Sequence, residues 1–252
     1  MKIFSLWILV FLSSLQYAQV NIERYNNLNS LSGLMGNVSF YISSKTGNTD
    51  IQEFEIDGRV NYKGENFYSF LIAQGEYGWN KGKEYSNNAL LHLRHLQDLE
   101  GVVDPELFAQ INYDKSNLLL FRSLFGAGLR LSLISDTLAN LDYGTSYMYE
   151  YEDIDLPETA DHPSKTKHHR WSNYLSYSNN VSKNSRISVV IYAQPRLDNF
   201  TDVRFLSENH LKVGLTDKLS LSVSFSIRFD SKPPDGVKDT DTNTKVGFTF
   251  RF

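Results

Sequence analysis

The residues that first invite a chemical reading are charged and recur at every second position. Glu53, Glu55, Asp57 and Arg59 share one parity within a short segment. Glu76, Arg94, Arg122, Arg130, Arg228 and Asp230 hold the polar side of similar alternations further along the chain. Successive side chains of an extended strand point to opposite faces, so each set projects to one side. If that side is the inside of a barrel, two chemistries follow. Exposed to a water-filled lumen, the charges form a constriction that selects solutes by sign and size. Paired across strands, together with Asp142 and Glu150, they fill the lumen with ion pairs.

Two other groups have the residue types of metal chemistry. Asp153, Asp155, Glu158, Asp161, His162, His168 and His169 combine carboxylates and imidazoles within one polar stretch, ligand types that suit divalent cations. Their spacing fixes no coordination geometry, and a solvated loop accounts for them. Asp239-Thr240-Asp241-Thr242-Asn243 imitates the start of a calcium loop, but Thr244 stands where glycine is required and Phe250 where the closing glutamate belongs. No metal or cofactor site is read from either. Acyl transfer needs a serine whose proton passes to an oriented histidine. The strand histidines His92, His95 and His210 lie in no motif that ties them to a serine, and no Gly-x-Ser-x-Gly occurs. The chain reads as a non-enzyme. It has no cysteine, which removes disulfides, thiolate metal sites and thiol catalysis. A formal charge of −4 gives no support to nucleic-acid binding.

The elements that must position these residues show a period of two. Leu219, Leu221, Val223, Phe225, Ile227 and Phe229 alternate with Ser220, Ser222, Ser224, Ser226, Arg228 and Asp230. Val246, Phe248, Phe250 and Phe252 alternate with Lys245, Gly247, Thr249 and Arg251, and similar patterns begin near Leu34 and Glu53. The segments run for about 10–14 residues, well beyond the roughly 5–6 of soluble strands, and suit transmembrane barrel strands with extensions. Strands are expected at 34–45, 50–62, 67–79, 89–97, 105–114, 118–133, 138–151, 168–179, 185–194, 200–215, 218–230 and 243–252. An even count of about twelve lets both ends of the barrel lie on one side of a membrane. The longest polar connections, at 81–88, 152–167 and 231–242, are the third, seventh and eleventh. All are odd and therefore on the outer side if the first strand starts in the periplasm. Tyr77, Trp79, Tyr149, Tyr151 and Trp171 fall near one rim, and Tyr62, Phe67, Tyr143 and Tyr177 near the other, as two interfacial aromatic girdles require.

At the start, Lys2 precedes an apolar stretch at 3–15 and then Gln16-Tyr17-Ala18-Gln19. This pattern is that of a secretory signal peptide, with cleavage expected after Ala18. Residues 1–18 are assigned to the signal, 19–33 to a short periplasmic extension and 34–252 to the barrel. No apolar stretch reaches the length of about 20 residues that a membrane helix needs. The final strand, with Phe248, Phe250 and the last residue Phe252 on one face, resembles the signal read by the outer-membrane barrel-assembly machinery.

Three further segments resemble a family, the YdiY-like salt-induced outer-membrane proteins known as domain of unknown function 481 (DUF481). They are Thr46-Gly47-Asn48-Thr49-Asp50 after the first strand, Arg122 with Phe125-Gly126-Ala127-Gly128-Leu129, and Pro233-Pro234-Asp235-Gly236 with Asp239-Thr240 and the closing strand. The resemblance implies an outer-membrane barrel and carries little mechanism.

The expected fold is all-β: a transmembrane antiparallel up-and-down β-barrel of about twelve strands, located in the cell outer membrane. Its partners are outer-membrane lipid and, during biogenesis, the assembly machinery; its oligomeric state is open. Three functional readings are set against one another: a narrow solute channel, a structural or surface-interaction barrel with a filled lumen, and an outer-membrane lipolytic enzyme. The lumen-facing candidates are Glu53, Glu55, Asp57, Arg59, Glu76, Arg94, Arg122, Arg130, Arg228 and Asp230; the candidate assembly signal is Phe248, Phe250 and Phe252.

Overall fold

Alternation of apolar and polar residues over long segments forces a sheet with two unlike faces, and a sheet that closes on itself has no unpaired edge. The computed structural model, which describes residues 33–45 and 51–252, takes this form. Twelve strands follow in order: β1 Gly33–Lys45, β2 Ile51–Lys63, β3 Phe67–Asn80, β4 Lys83–Gln97, β5 Val103–Asp114, β6 Leu119–Ser135, β7 Ala139–Ile154, β8 Lys165–Ser182, β9 Ser185–Pro195, β10 Val203–Gly214, β11 Leu219–Asp230 and β12 Thr240–Arg251. Each strand pairs antiparallel with the next, and β12 returns to β1 to close the barrel. The seam register runs from Asn37↔Arg251 to Phe40↔Phe248. Main-chain bonds between Gly36 and Phe252, at 3.2 and 3.1 Å, extend it to the last residue.

The two faces are the inverse of those of a water-soluble protein. Phe40, Leu93, Leu107, Phe125, Phe248 and Phe250 are exposed on the outside, while Asp57, Arg59, Asn61, Glu106, Glu150 and Arg170 are buried within. A continuous apolar exterior is stable only against hydrocarbon, and there only a closed barrel satisfies every strand amide and carbonyl. Strands run from 11 residues (β9) to 18 residues (β8) against the roughly 9–11 that cross a bilayer, so the ends of the longer ones stand clear of it. The aromatic residues Tyr77, Trp79, Tyr147 and Trp171 lie exposed toward one rim, Tyr62 and Tyr177 toward the other.

An even number of strands places the start of β1 and the end of β12 at one rim. The opposite rim carries the long connections 155–164, 196–202 and 231–239. The rim with the termini carries the shorter 64–66, 98–102, 136–138, 183–184 and 215–218. One expectation fails. The polar connection at 81–88 is not a long loop, because β4 begins at Lys83 and the turn is Lys81-Gly82. Both residues have positive φ, 49° and 77°, as a tight type I′ hairpin requires. Residues 83–88 are polar on both faces because this part of the strand rises above the apolar belt, so hydropathy does not separate it from a loop. The Thr46–Asp50 turn, the signal segment 1–18 and residues 19–32 lie outside the described residues.

Candidate functional site: the barrel interior

Inward positions follow directly from strand parity, and the structure sorts them into three levels. Nearest the rim opposite the termini is an ion network centred on Glu150 of β7. This carboxylate accepts from Arg122 of β6 (Nε at 3.1 Å, with a closer contact from Nη2), from Arg170 Nε of β8 at 3.0 Å and from Arg204 Nη1 of β10 at 2.6 Å. Arg204 also reaches Glu152 at 3.0 Å and Asp230 at 2.7 Å. Arg170 reaches Asp202 at 3.1 Å, which holds Arg196 at 3.0 Å. Across the lumen Glu53, Glu55 and Glu76 converge, with carboxylate oxygens within 4.8 Å of one another. Tyr85 donates to Glu53 at 2.5 Å, Ser86 donates to Glu76, and Lys245 of β12 pairs with Glu55 and lies 3.6 Å from Glu76. Three carboxylates at this spacing are the donor set of a hard cation. Here the Lys245 amino group already lies among them.

The middle level is built on apolar side chains with a few charged ones among them. Phe70, Ile72, Leu90, Leu96, Tyr174, Val190, Tyr192 and Leu206 form one buried cluster, and Phe108, Leu124 and Met148 a second. The His92 ring lies between Phe70 and Phe108, with centroids 6.2 and 6.1 Å away. The Arg59 guanidinium sits 3.9 Å over Phe70, and that of Arg94 4.7 Å over Phe108. Arg94 pairs with Glu106 at 2.8 Å, and Tyr174 of β8, three strands away, donates to Glu106 at 3.0 Å. Glycines make this layer possible. A Cβ on Gly126 would lie 2.2 Å from the Phe108 ring, so the ring occupies space that only glycine leaves.

Below this layer Arg130 pairs with Asp142 at 2.6 Å. A cavity of about 400 Å³ opens at the rim of the termini, bounded by residues of β1 and β8–β12 and two of the short turns. A smaller cavity of about 100 Å³ lies at the opposite end, under Pro233, Pro234 and Val237.

The sequence-derived candidates therefore do not meet in one ring. Glu53, Glu55, Glu76, Arg122 and Asp230 occupy the upper level; Arg59 and Arg94 flank the aromatic layer; Arg130 lies below. Asp57 is wholly buried, and Arg228 lies 3.9 Å from Glu208. Phe248, Phe250 and Phe252 are exposed on the outer face. The sequence reading passed over Glu106, Arg170, Asp202 and Arg204. Arg170 and Arg204 had the parity signal, but the partners that make them a network come from strands far apart in sequence.

The loop residues considered for metal do not converge. His169 meets Tyr147 on the outer wall at 2.5 Å, the His162 amide donates to Asp235 at 2.9 Å, and Asp153 lies 3.5 Å from Lys165. Asp198, in the connection 196–202, accepts from the Nε and Nη2 of Arg196 with its two carboxylate oxygens, at 2.9 and 2.7 Å. That hydrogen bonding holds its carboxyl down to about 2. One serine–histidine pair does exist: Ser69 Oγ and His95 Nδ1 lie 2.8 Å apart, directly opposite each other in the β3–β4 register. Both point outward, and the His95 ring also lies beside that of Phe67, with centroids 5.5 Å apart. Among the described residues nothing orients the histidine as a triad requires.

Comparison with known proteins supplies a family and a fold. The family model described as "Protein of unknown function, DUF481" matches residues 38–252. No curated protein sequence matches. Among solved structures the chain is similar to the NanC porin, with a TM-score of 0.51 and 12% identity over 86% of this chain and 100% of that one. It is also similar to the translocator domain of the autotransporter NalP from Neisseria meningitidis, with a TM-score of 0.47 and 12% identity over 89% and 90%. The KdgM porin in complex with disordered oligogalacturonate gives 0.43 and 10% over 87% and 99%. At these identities the likeness is one of fold.

Proposed function

Because this chain belongs to the DUF481 family, whose description states no activity, we propose a role from the geometry of its lumen: an integral outer-membrane barrel, closed at mid-height by its own side chains, that works by binding at its mouths and not by conduction. The observation that carries this is the buried layer of Phe70, Phe108, Met148, Tyr174, Tyr192 and Leu206, contributed from opposite walls. Barrels of eight strands are filled by side chains and those of 16 or more leave channels. A twelve-stranded barrel lies between, so the inward residues decide. The apolar exterior supports contact with outer-membrane lipid, and the signal segment supports export. The rim with the termini is then periplasmic and the long connections extracellular. Phe248, Phe250 and Phe252 serve as the signal to the assembly machinery. The proposed role is non-enzymatic.

The test is conductance of the purified mature chain in planar bilayers, with folding established by heat-modifiable migration on gels. Folded barrel without channel events is the expected result. Discrete conductance steps would overturn the occluded lumen in favour of a narrow channel. A chain that partitions as a soluble protein would remove the membrane reading altogether.

A further inference from the structure

The geometry points to a binding site for a multiply charged anion, one bearing phosphate or carboxylate groups, in the 400 Å³ vestibule at the rim of the termini. Its lining includes the cationic side chains of Lys183, Arg186, Lys212, Lys218 and Arg251 against a single carboxylate, Asp217. Three other lumenal arginines meet carboxylates: Arg94 with Glu106, Arg122 with Glu150 and Arg130 with Asp142. Arg186 donates to neutral acceptors, Asn180 Oδ1 at 3.1 Å and Ser178 Oγ at 2.7 Å, and Arg251 to the backbone carbonyl of Asp217 at 2.7 Å. A concave wall on which one sign of charge predominates concentrates field and draws counter-ions.

A second observation is independent of charge. Asn37 Nδ2 and Ser188 Oγ belong to residues that are each 3% exposed, line the same cavity and have no hydrogen-bond partner. Buried polar groups are almost always satisfied, so two unpartnered donors in residues that border one cavity call for a ligand that accepts hydrogen bonds there. Oxyanions supply that acceptor and the charge together, and the planar guanidinium of Arg186 suits their paired oxygens. The volume lies within the range of about 300–1,000 Å³ typical of ligand pockets, which favours an anion larger than one phosphate. On β9, Ser188 lies in the vestibule while Val190 and Tyr192 belong to the apolar layer above it. The site is thus a dead end. That it binds rather than passes its anion rests on the occluded lumen proposed above.

Isothermal titration calorimetry on the folded mature barrel in a zwitterionic detergent tests the site, with inorganic tripolyphosphate and citrate as probes. Saturable one-site binding that weakens as sodium chloride rises is expected. Tighter binding of tripolyphosphate assigns phosphate chemistry, and tighter binding of citrate assigns carboxylate. Combining Arg186→Gln with Lys212→Gln should weaken the preferred probe at least tenfold, whereas Lys115→Gln at the other rim should leave it unchanged. If the lumenal pair impairs folding, Lys183→Gln with Lys218→Gln, both in exposed turns, should weaken binding several-fold. No saturable binding to the folded barrel, or binding indifferent to these vestibule changes, overturns the site. Conductance decides the occluded lumen separately, so the two ideas fail by different measurements.

Discussion

Glu150 and Arg204, 54 residues apart, meet at 2.6 Å inside the barrel. They belong to β7 and β10, which share no ladder, so the pair braces walls that backbone hydrogen bonds do not join. Arg122 and Arg170 converge on the same carboxylate. Removing one partner of a buried pair costs much more than the pair itself contributes, because the remaining charges stay desolvated. Glu150→Gln is therefore expected to destabilise the barrel by roughly 3–5 kcal/mol, measured as urea unfolding in lipid vesicles. Lys165→Gln, which removes an exposed partner 3.5 Å from Asp153, should change stability by less than about 1 kcal/mol.

Gly126 and Gly128 differ in what faces them. A Cβ on Gly126 meets the far end of the Phe108 ring, but on Gly128 it meets the Thr145 carbonyl oxygen at 2.2 Å. A ring can turn aside, whereas a neighbouring strand cannot. Gly126→Ala should cost about 1–3 kcal/mol of overpacking and be largely rescued by Phe108→Ala in a double-mutant cycle. Gly128→Ala should disrupt the β6–β7 pairing, and the Phe108 change should not rescue it.

If side chains close the lumen, removing them should open it. Phe70→Ala, Tyr174→Ala and Leu206→Ala together are expected to convert a silent barrel into one with measurable single-channel conductance. A folded triple variant that stays silent would show that the closure lies elsewhere, in the ion network or under the long connections.

The closing seam has a short described register, from Asn37↔Arg251 to Phe40↔Phe248. Amide exchange should accordingly be fastest among the ladder amides of β1 and β12, since local opening follows the least-supported contacts. Deleting Phe252 removes the bonds to Gly36 and the ring packed against it. The heat-modifiable fraction in cells should fall, and by more than after Phe248→Leu.

The Arg196–Asp198 pair gives a pH prediction at the rim. The carboxyl is held down to about 2 from its ordinary 3.8, chiefly by its hydrogen bonds from Arg196. A depressed carboxylate favours the folded loop above its ordinary value and loses that contribution only as pH falls through the lowered one. An NMR titration of Asp198 should keep the ionised form at pH 3 and show its midpoint near 2. Arg196→Gln should move the midpoint back toward 3.8.

Strand existence, face and order were legible because a two-residue period is a local property. Leu219 to Asp230 displays both faces of β11 without reference to any other segment. Boundaries were less so. Lys83 to Asn88 reads as loop by polarity but is strand because Tyr85, Ser86 and Asn88 find their partners in Glu53 and Glu76. The long connections at 155–164 and 231–239 were visible as polar interruptions.

The amino-acid sequence by itself determined that this protein is a barrel with an apolar exterior and charged residues facing inward, since alternation dictates both faces of each strand. Whether those inward residues line a passage or fill it depended on which strands face one another across the lumen. Leu206 and Phe70 share a cluster, as do Tyr174 and Leu90, and Asn37 and Ser188 border one cavity, through barrel closure alone. Such distances are set by strand number, tilt and register acting together. Only the folded structure therefore separated the network around Glu150, the aromatic layer and the cationic vestibule beneath it.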